Sequence, residues 1–144
     1  MFKNILVLCT GNICRSPMAE AVLRERLYQP DTQVSSAGTA ALIGYPADPY
    51  AVEIAGSYGF DLREHRARQA LTPVLMGADL VLVMTRDHAD WVHSVAPPLR
   101  GRVQLLGRWR ELEIPDPYGQ DRGKFESVFE QIDDCVADWL PRLG

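Results

Sequence analysis

The sequence has no long apolar run, few cysteines and no excess of positive charge, and each shortage argues against a class of protein. No apolar stretch approaches the roughly 20 residues that span a bilayer, and the apolar run at residues 5–8 is too short for a signal peptide. The cysteines number three, so we expect no disulfide framework and thiols that stay reduced in the cytoplasm. A net charge of −4 gives no field that attracts nucleic acid or anionic lipid.

What is present is the ordinary composition of a globular protein. Nearly half of the 144 residues are apolar and about a quarter are charged. A chain of this length buries enough surface to fold without disulfides or a structural metal. No repeat, linker or low-complexity tract divides it. We therefore expect residues 1–144 to form a single domain.

Short apolar runs alternate along the chain with segments of helical periodicity. The runs predict strands at 5–8, 33–37, 79–84 and 103–106. Helices are predicted from Ser16-Pro17, read as an N-cap and first helical position, at about 49–58, from Thr72-Pro73, at 86–95 and over 125–140. This alternation predicts an α/β fold of three layers, with a four-stranded parallel sheet flanked by helices on both faces. Ligands in such folds bind beyond the carboxyl ends of the strands.

The segment after the first strand, Cys-Thr-Gly-Asn-Ile-Cys-Arg-Ser-Pro at 9–17, carries the strongest chemical signal. A loop of this length before a helix can turn several backbone N–H groups inward and form an anion cradle. Gly11 permits a positive φ there, and Arg15 can hold two phosphate oxygens in a bidentate fork. The cradle and the guanidinium both favour the thiolate of Cys9, which would be a nucleophile aimed at a bound phosphorus.

Residues 9–17 resemble the signature loop of the low-molecular-weight protein tyrosine phosphatases. The resemblance extends to the overall length and to three further segments: Ser36-Ala37-Gly38, His65–Gln69 and Asp116-Pro117-Tyr118. It implies hydrolysis of phosphotyrosine through a phosphocysteine intermediate, with no cofactor and no metal. It makes Cys9 the nucleophile, Arg15 the phosphate clamp and Asp116 the general acid and then base.

The same resemblance implies supporting roles for other residues. The phosphate-binding loop comprises Thr10, Gly11, Asn12, Ile13 and Cys14. Ser16 would donate a hydrogen bond to the Cys9 sulfur. A buried polar network that holds the loop would contain Asn12, Ser36 and His65, with His65 structural and neither acid nor base. Tyr118 would form one wall of the substrate cleft and Leu42, from the 39–45 stretch, the other.

Two departures from many eukaryotic relatives point to a bacterial subgroup. The 39–45 stretch begins with small residues and Leu42 where those relatives carry a large aromatic, and Gly119 stands where they often have a second tyrosine. Both features resemble the subgroup linked to capsule and exopolysaccharide export. The implied partner is a phosphotyrosine protein, a membrane tyrosine autokinase approached through its cytoplasmic part, with the phosphatase itself in the cytoplasm.

Other interpretations differ in what they require of the sequence. An arsenate reductase on this fold needs two additional cysteines, and none lies between Cys14 and Cys135. A binding module without catalysis predicts loss of the nucleophile or acid, yet both are present. A general small-molecule acid phosphatase stays open. Cys14 is equally consistent with a redox partner of Cys9 and with simple packing, and no second ligand pair accompanies the two as a metal site would require.

Overall fold

The computed structural model describes residues 2–143, in which four parallel strands form one sheet between two layers of helices. The strands are β1 (Asn4–Cys9), β2 (Gln33–Gly38), β3 (Leu80–Val83) and β4 (Val103–Leu105). The helices are α1 (Arg15–Arg26), α2 (Pro49–Ser57), α3 (Thr72–Met76), α4 (Arg86–Val95) and α5 (Arg122–Leu143), with short 3₁₀ turns at Pro97–Leu99 and Arg108–Arg110. The sheet order is β2-β1-β3-β4. The predicted fold class is confirmed.

The central strand β1 is buried on both faces, which explains why its sequence is a continuous apolar run. Ile5 and Val7 pack into the core formed with α1, α2 and α5. Leu6 and Leu8 point the other way, into the core formed with α3 and α4. The period of two along a strand therefore divides the hydrophobic interior into two layers.

Helix α5 covers one face of the sheet with a stripe of apolar side chains at helical spacing. Phe125, Phe129 and Ile132 are fully buried along it, and the helix packs mainly against α1. Each buried side chain of this size contributes ~1.5–3 kcal/mol relative to exposure. Near its end, the indole Nε1 of Trp139 donates to the Leu106 carbonyl at 2.8 Å, so a polar group on the apolar stripe is satisfied. Among residues 2–143, no helix is long and apolar enough to cross a membrane.

The N-terminus of α1 differs from the sequence prediction. The helix begins at Arg15, and its N-cap is Cys14, without a side-chain capping bond. Ser16 is thus not the N-cap but lies in the first turn, fully buried. Its hydroxyl is taken up by the loop that precedes the helix, so the capping prediction was wrong.

The carboxyl ends of β1 and β2 meet beside this loop. Cys9 is paired in register with Gly38. A Cβ atom on Gly38 would lie 2.4 Å from the Thr10 carbonyl oxygen, a distance that backbone atoms cannot accept. Glycine is therefore required at the end of β2 because the loop after β1 runs directly against it.

Candidate active site

The loop between β1 and α1 lines a cavity of about 190 Å³ at the carboxyl edge of the sheet. Sites for drug-sized ligands are usually about 300–1,000 Å³, so this cavity suits a small group rather than a large cofactor. Its lining consists of Cys9, Thr10, Gly11, Ile13, Cys14, Arg15, Ala40, Leu42, Asp116 and Tyr118. The structure thus brings the nucleophile, clamp, acid and wall residues of the sequence analysis to one pocket.

The Cys9 sulfur is held by a hydrogen-bonded relay from behind the loop. Asn12 Nδ2 donates to Ser16 Oγ at 2.8 Å, and Ser16 Oγ lies 2.9 Å from Cys9 Sγ. Since the serine oxygen accepts from the amide, its proton is free to point at the sulfur.

Asn12 is the centre of the buried network. Its Nδ2 also donates to Ser36 Oγ at 3.0 Å, and its Oδ1 accepts the Arg68 backbone N–H at 2.9 Å. The backbone carbonyl oxygen of Asn12 accepts from His65 Nε2 at 2.7 Å. Asn12 is fully buried, so these bonds satisfy polar groups that would otherwise be costly. Ser36 and His65 lie around Asn12, outside the pocket.

The positive φ in the loop belongs to Asn12 and not to Gly11. Asn12 has φ +59°, whereas Gly11 is outside the left-handed region. A Cβ on Gly11 would make ordinary contacts of 3.7 Å with Ile13 and 3.9 Å with Leu42. The positive φ that Gly11 permits is therefore not used. Asparagine tolerates this conformation better than most residues, and its side-chain bonds hold it there.

The Arg15 side chain is oriented by one bond and leaves one edge for a ligand. The guanidinium is buried, and Nη1 donates to the Ile114 carbonyl at 3.0 Å. Nη2 makes longer contacts, 3.4 Å to Thr10 Oγ1 and 3.6 Å to Asp116 Oδ2. Within the described residues, the buried Nε has no hydrogen-bond partner. An edge formed by Nε and Nη2 matches two oxygens of one anion.

The loop that carries Asp116 and Tyr118 closes one side of the pocket. Asp116 Oδ1 accepts the backbone N–H of Tyr118 at 3.1 Å, which leaves Oδ2 toward Arg15. The aspartate side chain is half exposed, so it can exchange protons with solvent. Tyr118 and Leu42 both line the pocket and are partly exposed, so both present apolar surface to a ligand.

The other two cysteines are in less reactive surroundings. Burial, with a smaller contribution from Asp48, raises the pKa of Cys14 far above its usual range. Burial also raises the pKa of Cys135, in α5, to about 11. Both remain thiols at neutral pH. Cys14 does not share the hydroxyl relay that reaches Cys9.

Sequence reasoning did not identify His88 as a site residue, because no motif in the sequence includes it. It is buried in the first turn of α4, and its Nε2 lies 3.0 Å from Thr10 Oγ1. Burial, and then the charge of Arg15, lower the pKa of His88 to about 4. No local signal marked its position, because α4 reaches the loop only through the pairing of β3 with β1 in the assembled sheet.

Comparison with known proteins identifies the family. Residues 4–144 match the family model described as low molecular weight phosphotyrosine protein phosphatase. A probable low molecular weight protein-tyrosine-phosphatase, EpsP of Ralstonia nicotianae, is 46% identical over 143 residues, covering 99% of this chain and 97% of EpsP. The chain belongs to the low molecular weight phosphotyrosine protein phosphatase family. It is a protein tyrosine phosphatase, as the resemblance of its motifs predicted, and its bacterial relatives confirm the predicted subgroup.

Solved structures of this phosphatase family share the whole fold. Vibrio vulnificus Wzb in complex with benzylphosphonate is 39% identical with a TM-score of 0.95, covering 99% of this chain and 100% of Wzb. The YwlE arginine phosphatase of Geobacillus stearothermophilus is 29% identical with a TM-score of 0.91, covering 97% of this chain and 92% of YwlE. A protein named as an arginine phosphatase therefore shares the architecture of this tyrosine phosphatase.

Proposed function

We propose that this phosphatase hydrolyses phosphotyrosine through a phosphocysteine on Cys9, with residues 1–144 acting as one catalytic domain. One arrangement carries the proposal: the Cys9 sulfur beside the Ser16 hydroxyl, and a guanidinium edge whose Nε has no hydrogen-bond partner among the described residues, line the same small cavity. A thiolate and an anion fork in one pocket are the requirements for nucleophilic attack on a phosphoryl group.

In the first step, Cys9 Sγ attacks phosphorus and the bond from phosphorus to the phenolic oxygen breaks. The leaving oxygen takes a proton from the Asp116 carboxyl group. Arg15, through Nε and Nη2, and the backbone N–H groups of the loop stabilise the negative charge of the equatorial oxygens. Half exposure at the pocket mouth suits Asp116 for meeting a leaving group that extends outward.

In the second step, water attacks the phosphocysteine and the bond from sulfur to phosphorus breaks. Asp116, now a carboxylate, takes the water proton, and inorganic phosphate leaves. The departing Cys9 thiolate receives the hydrogen bond of Ser16 Oγ. The cysteine side chain is then restored for another cycle. The residues named here supply every proton and bond change of the reaction, so we assign no cofactor or metal.

The shape of the pocket supports an aryl phosphate as substrate. Leu42, Tyr118 and Ile13 all line the pocket and present apolar surface to it. The benzylphosphonate complex of the Vibrio relative supports the same choice, because that ligand carries an aromatic ring close to a phosphorus group. A phosphoarginine substrate would bring its positively charged guanidinium toward Arg15. Among the described residues that line the pocket, Asp116 has no second carboxylate beside it to offset that charge.

We further propose that the physiological substrate is the cytoplasmic part of a membrane tyrosine autokinase of polysaccharide export. The support is the similarity to EpsP over nearly the whole chain, together with the small residues in the 39–45 stretch. Tyr118 and Leu42 are 58% and 36% exposed, so the pocket they line is open to a tyrosine presented by another protein. On this proposal the phosphatase acts in the cytoplasm.

The substrate class can be tested with matched phosphopeptides. Purified protein in EDTA is given phosphotyrosine, phosphoserine and phosphoarginine peptides of one sequence, and released phosphate is measured. We expect kcat/KM to be highest for phosphotyrosine and to fall when Tyr118→Ala removes one wall. An equal rate on all three peptides would support a general phosphatase, and a preference for phosphoarginine would contradict the proposal.

A further inference from the structure

The Thr10 hydroxyl occupies an unusual position at the pocket, since two nitrogen donors converge on its oxygen. His88 Nε2 lies 3.0 Å from Thr10 Oγ1, and Arg15 Nη2 lies 3.4 Å from the same atom. Thr10 is the first residue after Cys9, and it lines the cavity. His88 stands behind it and is only 5% exposed.

The direction of the bond from His88 follows from its other ring nitrogen. The backbone N–H of Thr85 points at His88 Nδ1, 3.2 Å away, and the Thr85 hydroxyl, 3.3 Å from the same nitrogen, accepts the His88 backbone N–H and so has its own proton to donate. An N–H group can only donate, so Nδ1 accepts and carries no proton. In a neutral imidazole the proton is then on Nε2. His88 therefore donates to Thr10 Oγ1.

The hydroxyl of Thr10 then has one donor function left. Its oxygen accepts from His88 and, more weakly, from Arg15, so its own proton is available to a third group. The same logic applies to Ser16, whose oxygen accepts from Asn12 while its proton is free to point at the Cys9 sulfur 2.9 Å away. Two hydroxyls beside the nucleophile are thus each oriented by a nitrogen donor behind the loop.

We propose that the Thr10 hydroxyl donates a hydrogen bond to the phosphoryl group in the pocket, and that His88 is the positioning residue that orients this hydroxyl. The inference rests on the proposed function, because it assumes that the pocket takes a phosphoryl group. It adds a side-chain donor to the backbone cradle and Arg15. A donor fixed before binding loses less entropy on contact than a freely rotating hydroxyl.

The charges around His88 keep it in the neutral form that this role requires. The charged groups that influence it are Arg15 from α1, Asp87 on its own helix, and Asp116 and Glu113 from the loop before α5. Burial and Arg15 outweigh the three carboxylates, and the pKa of His88 falls to about 4. The Nε2 donor is therefore present throughout the neutral pH range.

Two substitutions at His88 separate positioning from helix capping. His88→Asn places an oxygen near the Nδ1 position, so it can still accept from Thr85, but it is too short to reach Thr10. His88→Gln can place an amide donor near the Nε2 position. His93→Asn, on the same helix and outside the site, is the matched control. Thermal melting checks that each variant is folded.

The probe is inorganic phosphate, with its Kd measured by calorimetry, so that the result does not depend on turnover. We expect His88→Asn and Thr10→Val each to weaken phosphate binding about 10- to 100-fold, the range for one hydrogen bond to a charged group. The double variant should be no weaker than the worse single variant. His88→Gln and Thr10→Ser should recover most of the affinity, and His93→Asn should match the wild type.

Two results would overturn the inference: wild-type affinity in His88→Asn or Thr10→Val, or a double variant whose loss equals the product of the single losses. If His88→Asn does not fold, Thr10→Val and Thr10→Ser still decide whether the hydroxyl contributes. Failure of the proposed function looks different. There the wild-type protein would bind phosphate with the predicted dependence on Thr10 and His88 but would not hydrolyse phosphotyrosine.

Discussion

Ser16 Oγ lies 2.9 Å from Cys9 Sγ, and this contact links the nucleophile to the buried network behind the loop. The serine is fully buried and accepts from Asn12, so its hydroxyl has a fixed direction. A serine at the N-cap of a helix would instead use its hydroxyl to accept a backbone N–H of the first turn. In the proposed mechanism the contact stabilises the thiolate both before attack and at departure.

Replacement of Ser16 by alanine should therefore slow the reaction without emptying the pocket. We expect Ser16→Ala to lower kcat about 10- to 100-fold, because it removes one hydrogen bond to a charged sulfur. Phosphate affinity should change less, since Arg15 and the loop backbone are intact. Steady-state kinetics and phosphate inhibition measure the two effects, with the exposed Ser94→Ala as control. Equal kcat in wild type and Ser16→Ala would contradict the role.

Gly38→Ala tests the close approach of β2 to the loop. The added Cβ would lie 2.4 Å from the Thr10 carbonyl oxygen, so the loop or the strand must shift. We expect a loss of about 1–3 kcal/mol in the free energy of unfolding, typical of overpacking, and lower activity. Gly56→Ala is the matched control, because nothing lies within 4 Å of its Cβ position inside α2. The control should stabilise by about 0.5–1 kcal/mol. Urea unfolding measures both, and equal effects would argue against the clash.

The titration of His88 predicts a dependence of stability on pH. Its pKa is lowered from 6.5 to about 4 in the folded protein, so between these values the unfolded chain binds more protons. Stability from this residue is therefore complete above about pH 6.5 and is lost as pH falls toward 4. The full contribution of His88 to the free energy of unfolding is about 3 kcal/mol, since each pKa unit corresponds to 1.36 kcal/mol.

Urea unfolding between pH 4.5 and 7 can isolate this contribution, because carboxylates also titrate at the acidic end. The free energy of unfolding of the wild type should fall more steeply with acid than that of His88→Gln, which has no imidazole to protonate. Parallel curves for the two proteins would show that the His88 pKa is close to its ordinary value.

The three cysteines should differ sharply in alkylation. Cys9 lines the pocket, and its sulfur is hydrogen-bonded to the Ser16 hydroxyl. The pKa values of Cys14 and Cys135, in contrast, are raised by burial. We expect iodoacetate at pH 7 to label Cys9 first, to abolish activity, and to be slowed by inorganic phosphate. Peptide mapping by mass spectrometry identifies the labelled site. Labelling of Cys14 before Cys9 would contradict this order and would favour an active redox role for Cys14.

Much of the fold could be predicted because its signals are local. The apolar run of β1 and the stripe of α5 reflect burial on two faces and on one face, and both were placed within a few residues. Ser16 was misassigned because a serine before proline at a helix start has two uses, and only the packed loop decides between them. The positive φ of the loop lies at Asn12 and not at Gly11, which permits one, because asparagine can also adopt this conformation.

The contact of His88 with Thr10 could not be predicted in the same way. The two residues are 78 positions apart, and they meet only because β3 pairs with β1. The strand order is a property of the assembled sheet and not of any short segment. The Nε of Arg15 has no partner among residues 2–143, and this likewise depends on the Ile114 carbonyl that fixes the other end of the guanidinium.

The phosphocysteine can be observed most directly in Asp116→Asn supplied with para-nitrophenyl phosphate. Nitrophenolate leaves without needing a proton, so the first step should proceed, while the second step should slow for want of a base. Rapid quenching and intact-mass measurement should show protein carrying one phosphoryl group, and peptide mapping should place it on Cys9. Turnover with no phosphoryl group on Cys9 at any quench time, together with activity that survives Cys9→Ser, would contradict the mechanism.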